Sequence, residues 1–243
     1  MSAPAHLDNL RVVLVSTRNP LNIGASARAM SNFGVSQLRV VNPYELAFRE
    51  ARSAVGASPL LKSAKEFKSV AEAVADCPLV IGTTAAQNRE LQHPMYPLSE
   101  ASGPIQAHLQ TGPVALLFGS EKRGLSNHDF SYCHWLLHIP TQDQHLSMNL
   151  GQAVAVCLYE LAREGKSPDR EPQTDAATGE QLELLDQALL EALRSCGYLK
   201  PRSGAASEEK LRRMTRRLNP TAEDATTLLG MLRQILWKLK SRE

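Results

Sequence analysis

The chain is poor in the features that announce the commoner redox, metal and base-stacking chemistries. It has four cysteines, Cys77, Cys133, Cys157 and Cys196. They are scattered, with no CxxC pair and no histidine at metal-ligand spacing, so neither a metal site nor a disulfide framework is expected and the thiols read as core or bystander residues. Phe, Trp and Tyr together make up 5%, too little for a module that stacks bases on exposed aromatic platforms. The longest apolar runs, at 12–15 and 114–118, are strand-sized, so no membrane span is expected. The first residues carry an acid, Asp8, where a secretory signal needs a basic patch followed by an apolar run, and the expected location is the cytoplasm. The glycine-lysine P-loop pattern and the three-glycine dinucleotide fingerprint are both missing, which removes support for ATP and NAD chemistry. No internal repeat or low-complexity segment is visible.

What is present is enough apolar sequence, 43% of 243 residues, for a substantial core with room for an appendage. The formal net charge of +2 conceals an uneven distribution. Residues 1–193 carry 15 Lys/Arg against 20 Asp/Glu, whereas 194–243 carry 12 against 5. A local basic excess of this kind is an electrostatic footprint for phosphate backbones, although a solvated helix face would show the same composition.

Strand-like runs at 11–15, 38–41, 79–83, 114–118 and 135–139 alternate with helical periodicity, first at 22–33. This alternation predicts an α/β domain with a mostly parallel sheet covered by helices. A helix is expected from Asn149 to Arg163. The polar, proline-containing stretch 167–179 reads as a linker. Beyond it, Leu182, Leu185, Leu189 and Leu193 mark one helix, a second is expected behind Ser207, and Thr221 with Asp224 caps a third. The expected organisation is a domain over 1–166, a linker over 167–179 and a small all-α basic extension over 180–243.

Four segments have the composition of a ligand site. Asn22, Gly24 and Arg28 follow the first strand at the start of a helix, where α/β proteins place ligands; an ordinary helix start with an exposed Arg fits as well. Ile81 to Ala85 ends a strand in the hydroxyl residues Thr83 and Thr84. Gly119, Ser120, Glu121, Lys122, Arg123 and Gly124 form a glycine-bracketed turn after a buried strand, where main-chain groups can face a ligand. Ile139 and Pro140 precede a polar loop and then Ser147, Met148 and Asn149, residue types that also serve as plain helix caps.

Taken in order, the N-x-G-x-x-x-R turn, the FGSEKRGLS turn and IP followed by SMNL resemble the three signatures of the SPOUT (SpoU-TrmD) RNA 2′-O-methyltransferases, over roughly residues 10–164. The run from Thr17 to Gly34, the Thr83-Thr84-Ala85 segment and the helical extension are most similar to the TrmJ branch, whose members methylate ribose at nucleotide 32 of the tRNA anticodon loop. The resemblance implies a C-terminal deep trefoil knot, a fold that periodicity alone would not suggest because knots break the usual connection rules. It also implies a homodimer whose active sites are completed by the partner's first motif. S-adenosyl-L-methionine would lie against Thr83, Thr84, Ala85, Gly119, Ser120, Glu121, Gly124, Ile139, Leu146, Ser147 and Met148. Arg28, Asn22, Glu121, Ser147 and Asn149 would form the catalytic neighbourhood, with no metal. The family assigns Arg28 as base, but a guanidinium with a pKa above about 12 is better suited to holding phosphate and hydroxyl and relaying the proton. tRNA would meet Arg28, Arg89, Arg123, Lys210, Arg212, Arg213, Arg216 and Arg217.

Two positions depart from the pattern. After Thr83-Thr84-Ala85 an Arg is usual, whereas here the run continues Ala86-Gln87-Asn88-Arg89. Gly151 stands in the first turn of a helix where Ala is usual, at a cost of about 1 kcal/mol in propensity. A methyltransferase of another tRNA or rRNA nucleotide and a non-catalytic RNA-binding or ribosome-assembly protein on the same fold remain as alternatives, the second disfavoured by the joint presence of Arg28, Glu121, Ser147 and Asn149.

Overall fold

A computed structural model describes residues 5–53, 59–85, 92–142, 147–163, 175–199 and 205–241. The strands, in chain order, are β1 (Leu10–Val15), β2 (Gln37–Val41), β3 (Lys65–Phe67), β4 (Leu79–Thr83), β5 (Met95–Pro97), β6 (Val114–Phe118) and β7 (Trp135–His138). The helices are α1 (Pro20–Asn32), α2 (Glu45–Ser53), α3 (Pro59–Ser63), α4 (Val70–Ala73), α5 (Leu98–Thr111), α6 (Asn127–Phe130), α7 (Leu150–Ala162), α8 (Gly179–Ser195), α9 (Ala205–Leu218) and α10 (Ala222–Lys240).

Among the described residues the strands form a seven-stranded sheet in the order β3-β2-β1-β6-β4-β7-β5, and every pairing is parallel. Continuous apolar strands are what such a sheet requires, because both faces are covered. Along β1, Val12 and Leu14 enter the core beneath α1, α5 and α7, while Val13 and Val15 enter the core on the α4 and α6 side. Leu116 and Phe118 of β6 divide from Ala115 and Leu117 in the same way. The five interior strands match the apolar runs read from sequence; β3 and β5 were not expected. Each is three residues long at a sheet edge and largely exposed, so neither leaves an apolar run, and β5 ends in Pro97, tolerable only at an edge.

The tail is fastened rather than tethered. Of the expected linker, residues up to 174 lie outside the described set, but 175–179 are tied into structure. Ala177 N–H donates to Pro220 O at 2.9 Å, Ala222 N–H to Asp175 O at 2.7 Å, and Gly179 N–H to Cys77 O at 3.1 Å. Helix α8 therefore begins inside the stretch read as linker, at Gly179, where Thr178 and Gln181 cap its first turn reciprocally. Helix α9 starts two residues before the expected Ser207 cap, and α10 starts at the expected Thr221 cap. Among the apolar residues of α10, Leu236 is buried, whereas Leu228 and Ile235 face solvent. No helix among the described residues is long and apolar enough to cross a membrane.

Candidate active site

All strands point the same way, so their carboxyl ends share one edge, and a cavity of about 390 Å³ opens there beyond β4, β6 and β7. This is the usual ligand position in open α/β sheets, and the size suits a nucleoside-sized molecule. Thr83, Thr84, Ala85, Gly119, Ser120, Glu121, Gly124, Ile139, Ser147 and Met148, all expected from sequence, line it. Leu146 lies outside the described residues. The threonines also join the strand ends: Thr83 Oγ1 donates to Leu117 O at 2.8 Å, and Thr84 N–H to Leu137 O at 2.9 Å.

The turn after β6 closes on itself. Gly124 N–H donates to Ser120 O at 2.8 Å, and Gly124 has φ +65°, in the left-handed region that favours glycine. A Cβ on Gly119 would sit 2.0 Å from the Gly124 carbonyl carbon, so no larger residue permits this closure. The turn therefore offers main-chain groups to the cavity and aims Glu121 sideways at the start of α1. The Glu121 carboxylate accepts from Arg18 N–H at 3.2 Å, Asn19 N–H at 3.1 Å and Asn22 Nδ2 at 3.2 Å. Asn22 Oδ1 accepts from Asn149 Nδ2 at 2.8 Å, and Asn149 Oδ1 caps α7 by accepting from Gly151 N–H at 2.9 Å and Gln152 N–H at 3.4 Å. Each amide is thereby oriented by its partners. A continuous relay, Glu121 to Asn22 to Asn149 to α7, joins segments about a hundred residues apart. Gly151 also finds its reason: a Cβ there would lie 2.6 Å from that of Ala25, so the glycine lets α7 meet α1.

A model of the SpoU rRNA Methylase family matches residues 9–159. The chain is 34% identical over 235 residues to the tRNA (cytidine/uridine-2′-O-)-methyltransferase TrmJ of Sodalis glossinidius, covering 94% of this chain and 92% of that protein. It is 35% identical over 240 residues to the tRNA (cytidine/uridine/adenosine-2′-O-)-methyltransferase TrmJ of Pseudomonas aeruginosa, covering 93% of each. The crystal structure of TrmJ from Z. mobilis ZM4 superposes with a TM-score of 0.79 at 34% identity, covering 93% of this chain and 98% of that one. The chain belongs to the SpoU methylase family.

Within this SpoU methylase the remaining sequence-predicted residues are placed unevenly. Arg28 is exposed on α1 and does not line its own chain's cavity. Arg123 is exposed at the cavity and Arg89 lies outside the described residues. Lys210 and Arg217 are exposed on α9, as an RNA contact requires. Arg213 is half-buried and donates to Gln92 Oε1 at 2.9 Å. Arg212 and Arg216 correct the expectation: they are 7% and 3% exposed, face inward, and are engaged by Glu183, Asp186 and the ring of Tyr132. The sum of charges along the tail could not separate inward from outward arginines.

Sequence reading missed the apolar part of the cavity, Phe118, Leu125, Phe130, Leu137 and Leu150. Phe130 carries no motif signal; it reaches the cavity because Ser126 and Asp129 cap α6 reciprocally and fix the short turn that bears it. Of the cysteines, Cys77, Cys133 and Cys157 are buried, and burial pushes the Cys157 thiol up to about 12, so these are core residues. Among the described residues no group of side chains could hold a metal ion.

Proposed function

We propose that this SpoU methylase transfers a methyl group from S-adenosyl-L-methionine to a ribose 2′-hydroxyl of tRNA, at nucleotide 32 of the anticodon loop, acting in the cytoplasm as a homodimer. The observation that carries the reading is the Glu121-Asn22-Asn149 relay, which ties the first signature segment to the second and third, the two that line the cavity. The similarity to the TrmJ enzymes, named for 2′-O-methylation of tRNA, supports the substrate class.

The cavity suits the cofactor. Its lining has apolar side chains for a purine, Leu125, Phe130 and Leu137, and Thr83, Thr84, Ser120 and the glycine-bracketed turn for polar groups. S-adenosyl-L-methionine, when bound, supplies an electrophilic methyl on sulfur. The residues of the chain then have to place the ribose oxygen in line and accommodate its proton. A guanidinium is a poor base, so the part of Arg28 is to hold the phosphate and hydroxyl and pass the proton to that phosphate or to water. Asn22 and Asn149 hold the segment that presents the ribose, and Ser147 faces the cavity beside them.

Because Arg28 does not reach its own cavity, a second copy would supply it. Leu21 (79% exposed), Val156 (36%) and Tyr159 (59%) on α1 and α7 form the apolar surface that such a partner would cover. The trefoil threading belongs to the same proposal, since it depends on the path through 86–91 and 143–146, outside the described residues. Exposed Arg18, Lys122, Arg123, Lys210 and Arg217 supply charge for a polyanion.

Mass spectrometry of nucleoside digests from a deletion strain tests the assignment. Loss of 2′-O-methylation at nucleotide 32 alone is the expected result. Loss at another tRNA position or in rRNA would refute the site, and unchanged methylation throughout would refute the activity. Arg28→Ala with near-normal turnover and intact cofactor affinity would refute the catalytic centre.

A further inference from the structure

The inward arginines of α9 contact the back of the segment that lines the cavity. Residues 126–134 form one short unit between β6 and β7. Phe130 faces the cavity and packs over Gly82, where a Cβ would come within 3.1 Å of its ring. The next two residues, Ser131 and Tyr132, are buried against the C-terminal helices. Arg212 Nη1 donates to Ser131 Oγ at 2.9 Å, and Ser131 Oγ donates to His128 O at 2.6 Å. The Arg212 guanidinium lies 4.4 Å from the Tyr132 ring centroid, with Arg216 at 5.9 Å and the His128 ring edge-on at 5.4 Å. On its far side Arg212 Nε faces Glu183 at 3.7 Å, and Arg216 pairs with Asp186. Two cations and two anions thus balance within a buried cluster, and the planar fork of Arg212 is the part that touches the cavity-bearing unit.

We propose that Arg212 is a positioning residue for the cofactor pocket: by stacking on Tyr132 and bonding Ser131 it holds the α6 unit, and with it Phe130, in the binding geometry. The C-terminal extension then serves the methyl-donor site as well as tRNA. This rests on the reading of the cavity as that site. A lysine at 212 keeps the charge near Glu183 but has neither a flat face for Tyr132 nor the fork. A phenylalanine at 132 keeps the ring that Arg212 covers, whereas leucine removes it.

The test uses full-length protein, calorimetry with S-adenosylhomocysteine without tRNA, and steady-state turnover. Arg212→Lys and Tyr132→Leu should each weaken S-adenosylhomocysteine about five- to tenfold and raise the cofactor KM by a similar factor, with kcat at saturating cofactor within twofold. Tyr132→Phe should bind within twofold of the wild type. The double variant Arg212→Lys/Tyr132→Leu should be no worse than Arg212→Lys alone, because that change already removes the stack on Tyr132. Lys210→Ala, exposed on the same helix, should weaken tRNA binding and leave cofactor affinity unchanged. If Arg212→Lys is too unstable to purify, Tyr132→Leu reads the same contact from the other side. Cofactor affinity within twofold of the wild type in either variant overturns the inference while leaving the pocket assignment intact. Failure of the wild type to bind S-adenosylhomocysteine overturns the pocket assignment and this inference with it.

Discussion

Asn149 has two jobs that a single substitution can separate. Its Oδ1 caps α7, and its Nδ2 donates to Asn22 Oδ1 at 2.8 Å. Asn149→Asp keeps the cap, since Asp and Asn rank together at that position. It also puts a carboxylate oxygen against the Asn22 carbonyl. If the Asn22 amide turns over to donate to the new carboxylate, its oxygen then faces Glu121 Oε1, which now accepts from Nδ2 at 3.2 Å. Either arrangement leaves two acceptors in contact. Losing one hydrogen bond costs about 0.5–1.5 kcal/mol. Repulsion between two exposed carboxylates at the two ends of the same amide adds about half a kcal/mol in water. The relay is thus weakened by about 1–2 kcal/mol, which predicts a 5- to 30-fold fall in single-turnover methylation of tRNA at saturating cofactor and, because the loss is in the folded protein, a fall of about 2–8 °C in Tm. Asn149→Ala removes the cap as well, so it should also lose about 1 kcal/mol of stability, or roughly 2–4 °C in Tm. Turnover by Asn149→Asp within twofold of the wild type would refute a functional relay. A fall in Tm confined to Asn149→Ala, with turnover by Asn149→Asp intact, would reduce Asn149 to a helix cap.

Further perturbations test other parts of the reasoning. Gly119→Ala drives a Cβ into the Gly124 carbonyl, so cofactor binding measured by calorimetry should fall more than about a hundredfold, about 2.7 kcal/mol, while circular dichroism reports an intact core; binding within tenfold would mean that the turn adapts. Arg216→Met leaves the Asp186 carboxylate buried and unpaired, and urea unfolding should show a loss of about 3–5 kcal/mol. The salt dependence of tRNA binding should stay as it was, whereas Lys210→Ala/Arg217→Ala should reduce the slope of log K against log salt by about 1.5; a reduced slope in Arg216→Met would place that residue on RNA after all. His134 is held neutral by burial, with Arg216 adding to the effect, and its pKa is lowered to about 3 while its Nδ1 accepts from Val80 N–H at 3.1 Å. A folded-state pKa below the unfolded value of about 6.5 means that stability is complete above about pH 6.5 and is lost as pH falls toward 3. Between pH 6.5 and 5 the loss should reach about 2 kcal/mol in urea titrations, and His134→Gln should flatten it; an unchanged slope would assign the acid sensitivity elsewhere.

Much of the catalytic half was legible in the chain because local chemistry determines it. Buried parallel strands must be apolar on both faces, so β1, β2, β4, β6 and β7 appear as runs, and a turn that closes on itself needs Gly119 and Gly124 whatever surrounds it. Residues at the strand ends were legible for the same reason, since the carboxyl edge of a parallel sheet is set by chain direction. The edge strands β3 and β5 leave no such mark, being short and half-solvated. Phe130 entered the cavity only through packing: nothing in its neighbours' identity distinguishes a pocket-lining phenylalanine from a core one.

The basic tail divides the two kinds of information most sharply. Composition determined that residues 194–243 carry a cationic excess, because charge is additive along a chain and needs no geometry. Which cations meet solvent depends on where α9 lies. Helical rotation turns Arg212 and Arg216 together toward Tyr132, Glu183 and Asp186 and leaves Lys210 and Arg217 outside. Desolvating a guanidinium is tolerable only where carboxylates and an aromatic face replace its water, and those partners come from elements 29 or more residues away in sequence. Only the tertiary structure could bring them together.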